Sequence, residues 1–303
     1  MKSDFIWMDG ELVPYDQATV HFITPTLHYG VGVFEGIRCY QTPNGPAVFR
    51  LREHLTRFVE SIHILGIIDF PYTVDDLRSA VHQTIRANGF TECYIRPLMY
   101  LQGPMGLNMD QSKPRVGIAS WEWGPYLGKE AGERGVHMMV SSFTRLHPNI
   151  NLTKSKVVGN YVNSMLVKTL ALRSGYDEAV ILDPQGYVAE CSGENIFMLR
   201  NGVLYTPPLA TVLEGLTRNA VITFAGDLGI PVEEKLFTRD QLYIADEVFI
   251  TGTAAEIVSV YKVDHRLVKE GKVGPVTRNL LDLYAETVHG GGKHSATWLD
   301  YPG

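Results

Sequence analysis

The chain has 303 residues, which at roughly 150 per domain points to two domains or one large one, long enough to fold without cross-links. Hydrophobic residues make up 45% and charged residues 20%, the balance of a globular protein and not of a disordered or fibrous one. The net charge of -6 lacks the positive field that nucleic acid needs, which leaves room only for a local basic pocket around one phosphate.

In chain order, Phe5 to Met8 and Glu11 to Val13 flank Asp9-Gly10, a dipeptide suited to a type I′ turn, and predict a hairpin. A second hairpin is expected over 33–50, turning at Thr42 to Pro46. Leu51, Leu55, Phe58, Ile62 and Leu65 form a helical stripe that stops at Gly66, with Arg52 at its start and off the apolar face. Thr73, Asp76 and Gly89 bracket a helix over 73–88, and strands are expected at 93–101 and 116–123. The turn-rich stretch 124–133 reads as a linker between a small domain, 1–123, and a larger one, 134–303. The larger domain should hold strands at 136–143, 178–182, 195–199 and 247–251, with helices at 160–174, 216–228 and 276–288. Strands and helices mix without βαβα alternation, so the expected class is α+β.

Cys39, Cys93 and Cys191 offer neither a CxxC pair nor a disulfide framework, and read as the reduced thiols of a cytoplasmic protein. The N-terminal stretch has acids where a signal peptide has its apolar core, and no apolar run approaches the ~20 residues of a membrane span. Neither secretion nor a membrane partner is expected. Dinucleotide, P-loop, zincin and serine-hydrolase patterns are missing, and the ten scattered histidines suggest no metal site.

Several residues nevertheless stand where chemistry is feasible. Lys156 and its neighbour Lys154 lie in an apolar, glycine-bearing lead-in to a helix, where desolvation lowers an amine's pKa. Glu190 follows strand-like Tyr187 to Ala189 and precedes Cys191-Ser192-Gly193, a place where a carboxylate can be held inside; Glu194 reads as a more ordinary turn acid. Arg52 offers a fork of donors, and Gly215-Leu216-Thr217 opens a helix whose first N–H groups attract anions. Tyr94 and Arg96, two apart on a strand, share a face and together can grip a carboxylate.

Seven motifs occur in one order: HYGVGVFEGIR at 28–38, FRLREH at 49–54, YIRP at 94–97, KVVGNY at 156–161, ECSGENIF at 190–197, EGLTR at 214–218 and TGTAAEI at 251–257. Together they resemble, over essentially the whole chain, the class IV pyridoxal-phosphate aminotransferases, and most of all their bacterial branched-chain amino acid branch. The resemblance implies a two-domain fold type IV enzyme, D-amino acid aminotransferase-like, with its active site between the domains and pyridoxal 5′-phosphate as cofactor. It selects Lys156, four residues before Asn160, as the lysine that binds the cofactor's aldehyde. It assigns Glu190 to the pyridine nitrogen and Tyr161 to the phenolic oxygen, and it gives the phosphate to Arg52, Leu216, Thr217 and Thr253. For the substrate it implies that Tyr94, Thr253 and Ala254 hold the α-carboxylate, and that Arg96 meets the distal carboxylate of glutamate. Phe34, Tyr29, Trp123, Tyr126 and Leu107 then enclose an aliphatic side chain, Leu107 reaching over from a partner subunit.

The expected reaction is reversible transfer of an amino group from L-leucine, L-isoleucine or L-valine to 2-oxoglutarate. Its partners are small amino acids and 2-oxo acids, and the expected assembly is a homodimer or a dimer-based hexamer. D-amino acid and (R)-amine transaminases and aminodeoxychorismate lyase share the cofactor parts but have other patterns at the Tyr-x-Arg strand. A noncatalytic pyridoxal-phosphate binding protein is disfavoured by the joint presence of Lys156, Glu190 and Tyr161. The loop 103–107 departs in detail from better-known bacterial forms.

Overall fold

The computed structural model describes residues 3–124, 127–128, 132 and 134–302. The chain divides into two compact units. One runs to Trp123 and adds Lys154–Gly159 and the stretch from Glu286 onward; the other comprises Gly124–Thr153 and Asn160–Ala285. The expected linker, 124–133, lies mostly outside the described residues.

The first unit is an antiparallel sheet backed by helices. Its strands are β1 Phe5–Met8, β2 Glu11–Pro14, β3 Gly32–Phe34, β4 Ile37–Thr42, β5 Gly45–Phe49, β6 Cys93–Gln102 and β7 Lys113–Trp121. They lie in the order β5-β4-β6-β7-β1-β2, with a short strand, Leu299–Asp300, outside β5 and with β3 on β6. The Asp9-Gly10 hairpin forms as expected, both residues having positive φ. The second hairpin is narrower than 33–50: β4 pairs with β5, while β3 leaves to pair Phe34 with Leu98 of β6. After the short helix α1 (Pro25–Tyr29) come α2 (Leu51–Ile64) and α3 (Val74–Asn88). Thr73 and Asp76 cap α3 reciprocally, as their spacing predicted. Leu55, Phe58 and Ile62 of α2 and Leu77, Val81 and Ile85 of α3 bury one sheet face together with Cys93, Ile95, Met99 and Leu101 of β6. By strand alternation the opposite face carries Tyr94, Arg96, Leu98 and Tyr100.

Two distant stretches complete this unit. Val157 bridges Val33, Gly159 N donates to Gly30 O at 2.9 Å, and Arg50 N donates to Trp298 O at 2.6 Å. No local pattern in the sequence announces either return.

The second unit is a mixed sheet with helices. Its elements are β8 Val136–Thr144, α4 Tyr161–Arg173, β9 Glu178–Leu182, β10 Val188–Cys191, β11 Asn195–Arg200, β12 Val203–Thr206, α5 Leu216–Asp227, β13 Val232–Glu234, α6 Arg239–Tyr243, β14 Glu247–Gly252 and β15 Glu256–Val263. A further helix, α7, spans Pro275–Val288. The sheet order is β10-β9-β8-β15-β14-β11-β12-β13, with β8 parallel to both β9 and β15. Both units mix helices with largely antiparallel strands, the α+β arrangement expected. The strands β12, β13 and β15 were not expected; β15 matters most, because it returns from β14 through a turn that holds Thr253 and Ala254.

Candidate active site

In the first unit Lys156 is fixed by its own backbone. Its N–H donates to Ser61 Oγ of α2 at 3.2 Å, and its carbonyl accepts from Phe34 N at 3.1 Å. Ser155 Oγ adds a bond to Ser61 O at 2.9 Å, so one turn of α2 seats two consecutive residues of this segment. The half-buried Lys156 side chain brings Nζ to 5.0 Å from the Phe34 ring centroid, whereas Lys154 is exposed.

Phe34 also lies beneath Arg96, whose Cζ is 4.6 Å from that ring, 5.3 Å from the Tyr94 ring and 5.9 Å from the Trp121 ring. Arg96 Nη2 donates to Tyr94 Oη at 3.1 Å, while its Nε is buried without a hydrogen-bond partner. Among the described residues no carboxylate pairs with Arg96. The Tyr94 ring meets those of Trp121 and Trp123 at 5.1 and 4.6 Å, and its hydroxyl occupies the space that a Cβ would need at Gly36. An arginine surrounded by rings and lacking a fixed anion is suited to bind an anionic ligand group.

A buried ionic cluster stands beside this aromatic group. Glu35, fully buried, accepts from Arg57 Nε at 2.7 Å and Nη2 at 2.9 Å, and His54 Nδ1 lies 2.8 Å from it. Burial alone would raise the Glu35 carboxyl, but Arg57 and His54 outweigh it and hold the group well below the usual carboxylate range. Burial lowers His54, which also feels the positive charges of Arg57 and Lys156.

Arg52, the arginine expected at the phosphate, does not join this cluster. Its side chain is 57% exposed and pairs with Asp75 at 2.6 Å, because a residue off the apolar stripe of α2 is turned toward solvent. Arg57, at 13%, is the arginine of α2 that faces inward. It was missed in the sequence, although its place directly before Phe58 of the buried stripe was a usable sign.

The second unit has a buried carboxylate and an anion-attracting helix start of its own. Glu190 on β10 is buried, 2.5 Å from Arg145 Nε, and accepts from Leu213 N at 3.2 Å. Arg145, itself buried, had no motif to announce it. Glu194 is buried as well and is not a surface turn acid: burial first, then the charge of Glu178, push it up to about 8. Glu178 takes the nearby cation, Lys168, at 2.8 Å and accepts from Ser192 Oγ at 2.9 Å.

Leu216 and Thr217 open α5, and Gly215 in the N-cap position brings no capping side chain. A Cβ at Gly215 would run into the Asn195 side chain, whose amide donates to Leu213 O at 3.0 Å. Thr217 is buried, and Thr253 and Ala254 are half-buried in the β14–β15 turn. Tyr161 is half-buried as the first residue of α4.

The remaining expected wall residues differ in placement. Trp123 packs on Tyr94, but Tyr29 is 44% exposed and Leu107 is 87% exposed in the loop between β6 and β7. Tyr126 lies outside the described residues. Among the described residues no cluster of His, Cys, Asp or Glu is arranged to hold a metal ion, and no helix is long and apolar enough to cross a membrane.

The amino-transferase class IV family model matches residues 32–263. The chain is 47% identical over 298 residues to the branched-chain-amino-acid aminotransferase of Pseudomonas aeruginosa, an alignment that covers 98% of this chain and 97% of that one. Among solved structures it is similar to the Escherichia coli branched-chain amino acid aminotransferase, with a TM-score of 0.96 at 44% identity and full coverage of both chains. The T.th. branched-chain amino acid aminotransferase with pyridoxamine 5′-phosphate gives 0.95 at 45% identity, again over the whole of both chains.

Proposed function

This chain belongs to the class IV aminotransferases, and from that premise we infer that it reversibly transfers the amino group of L-leucine, L-isoleucine or L-valine to 2-oxoglutarate, with pyridoxal 5′-phosphate as cofactor. The observation that carries the substrate reading is Arg96, a guanidinium stacked on three rings with no acidic partner among the described residues. One pocket must accept glutamate's distal carboxylate in one half-reaction and an isobutyl or similar group in the other. An arginine on an aromatic wall serves both, since rings tolerate either a cation or an alkyl chain against their faces.

The residues present fit the cofactor. A half-buried lysine, a carboxylate buried beside an arginine, and a helix start with glycine in its capping position are the donor set that an aldehyde, a pyridine nitrogen and a phosphate require. When bound, the cofactor supplies an electron sink for the substrate's Cα. Lys156 would hold the cofactor through its aldehyde, and its amine would serve as the base and acid that moves the proton at the substrate Cα. Glu190, paired with Arg145, would meet the protonated pyridine nitrogen, and Tyr161 would donate to the phenolic oxygen.

Leu216, Thr217 and Thr253 meet the phosphate through N–H and hydroxyl groups. Arg57 takes the role first expected of Arg52, supported by its inward position beside His54 and Lys156. Tyr94 with the Thr253-Ala254 turn orients the α-carboxylate, and Phe34 and Trp123 exclude water from the aliphatic side chain.

The chain works as a homodimer or dimer-based hexamer in the cytoplasm, an arrangement that covers the exposed Leu107 and Tyr29. Initial rates with L-leucine, D-alanine and (R)-1-phenylethylamine against 2-oxoglutarate test the reading. L-leucine should lead by at least roughly tenfold, equivalent to about 1.4 kcal/mol of transition-state preference. A faster D-alanine or amine reaction would replace this reading with another class IV activity.

A further inference from the structure

Glu190 and Asn195 flank the tight turn between β10 and β11, which the bond from Cys191 N to Glu194 O closes at 2.7 Å. Both side chains are buried, and both reach the same residue of the loop that leads into α5. The Leu213 N–H donates to Glu190 Oε2 at 3.2 Å, and the Leu213 carbonyl accepts from Asn195 Nδ2 at 3.0 Å. One turn thus grips Leu213 by both of its backbone groups.

Gly215 follows in the N-cap position of α5, its carbonyl accepting from Asn219 N at 3.0 Å. Its φ of -72° and ψ of 132° suit any residue, so the backbone conformation does not call for glycine. A side chain there would instead displace the Asn195 amide, whose Oδ1 a Cβ would run into. Asn195 therefore packs on the helix start while it holds Leu213. Glu190 keeps a second hold in Arg145 Nε, 2.5 Å away, and the first N–H groups of a helix point outward whatever precedes them. Without the Asn195 amide, the carboxylate and the helix start both persist, and what loosens is the distance between them.

We propose that Asn195 is a positioning residue, which through Leu213 fixes the spacing between the carboxylate for the pyridine nitrogen and the helix start for the phosphate. The proposal rests on the assignments of Glu190 and α5 in the reading above, and it adds what sets their separation. A rigid ligand with two binding ends gains from the second contact only where the two sites stand at its own length. Pyridoxal 5′-phosphate senses that spacing. Pyridoxal and inorganic phosphate, each using one end, do not.

The test takes the full chain freed of cofactor and measures dissociation constants of these three ligands for wild type, Asn195→Ala and Asn195→Asp. Asn195→Asp keeps the size of the side chain but, when ionised, has no N–H for the Leu213 carbonyl. Each variant should bind pyridoxal 5′-phosphate roughly fivefold to tenfold more weakly, the loss of one hydrogen bond, with pyridoxal and phosphate each within about twofold. A misfolded fraction lowers the number of sites and leaves the ratios of the three constants unchanged.

Equal losses for all three ligands would make Asn195 a support of the fold alone and overturn the proposal. So would a loss on phosphate as large as that on pyridoxal 5′-phosphate, since Asn195 would then act on the helix start itself. Wild-type affinity for pyridoxal 5′-phosphate in both variants would overturn it as well. If wild type binds pyridoxal as tightly as pyridoxal 5′-phosphate, the assignment of α5 to the phosphate fails and the proposal falls with it, a result that shows in the wild type before any variant is measured.

Discussion

Lys156 hangs from backbone bonds to Ser61 and Phe34, so its side chain can be removed without dismantling its seat. Lys156→Ala should fold, yet lose both turnover and the borohydride-reducible visible absorbance of the bound cofactor. Retention of that absorbance would shift the assignment to Lys154. The two arginines of α2 make a sharper contrast. Arg57→Ala should weaken pyridoxal 5′-phosphate binding roughly tenfold to a hundredfold, the loss of about 1.5–3 kcal/mol of charge-assisted hydrogen bonding, with little change for unphosphorylated pyridoxal. Arg57→Lys keeps the charge opposite Glu35 but not the fork, and should fall between. Arg52→Ala should leave both ligands unaffected, because its partner is the exposed Asp75. Arg96→Ala should cost the glutamate half-reaction roughly tenfold to a hundredfold more than the leucine half-reaction in single-turnover kinetics. Equal losses would mean that Arg96 serves the shared α-carboxylate.

The strands and the β3–β4 connection determine where these side chains can be. Glu35 N donates to Pro97 O at 2.9 Å, which holds the connection against β6, and Gly36 leaves room for the Tyr94 hydroxyl. Gly36→Ala puts a methyl group inside that hydroxyl, so Tyr94 must turn and lose its 3.1 Å bond to Arg96. Overpacking of this kind typically costs about 1–3 kcal/mol. The variant should melt several degrees lower and show a raised KM for amino acids, whereas Gly36→Ala with unchanged KM would mean that Tyr94 does not orient substrate. The element pattern was largely legible. The stripe of α2, the capping box of α3 and the Asp9-Gly10 turn are local signals, and each element formed where its signal lay. The narrower second hairpin was not legible, because the partner of β3 is β6, more than sixty residues downstream.

Across the molecule, buried carboxylates of opposite tendency shape the response to pH. Glu35, held low, contributes stability above the ordinary carboxylate range that is lost as pH falls through and below it. Glu194, raised from 4.5 to about 8, contributes stability that is complete below 4.5 and is lost as pH rises from there toward 8, where its burial beside Glu178 opposes ionisation. Wild-type stability in urea should therefore decline from about pH 5 to about pH 8, and Glu194→Gln should flatten that decline. An equal slope in the variant would place the titrating group elsewhere.

Local spacing determined the helices and several strands, and the ordered motifs determined the family, since both are written in short stretches of chain. The same motifs marked Lys156, Glu190, Tyr94 and Arg96 as candidates. What only the tertiary structure decided is which neighbours these residues have. Arg57 faces inward and Arg52 does not, since burial on α2 depends on what packs against the helix. Arg145 beside Glu190, and Glu35 between Arg57 and His54, join residues tens of positions apart, so no local pattern could pair them. Lys156 belongs to the first unit for the same reason: its place is set by hydrogen bonds to Ser61 and Phe34, about a hundred residues before it in the chain.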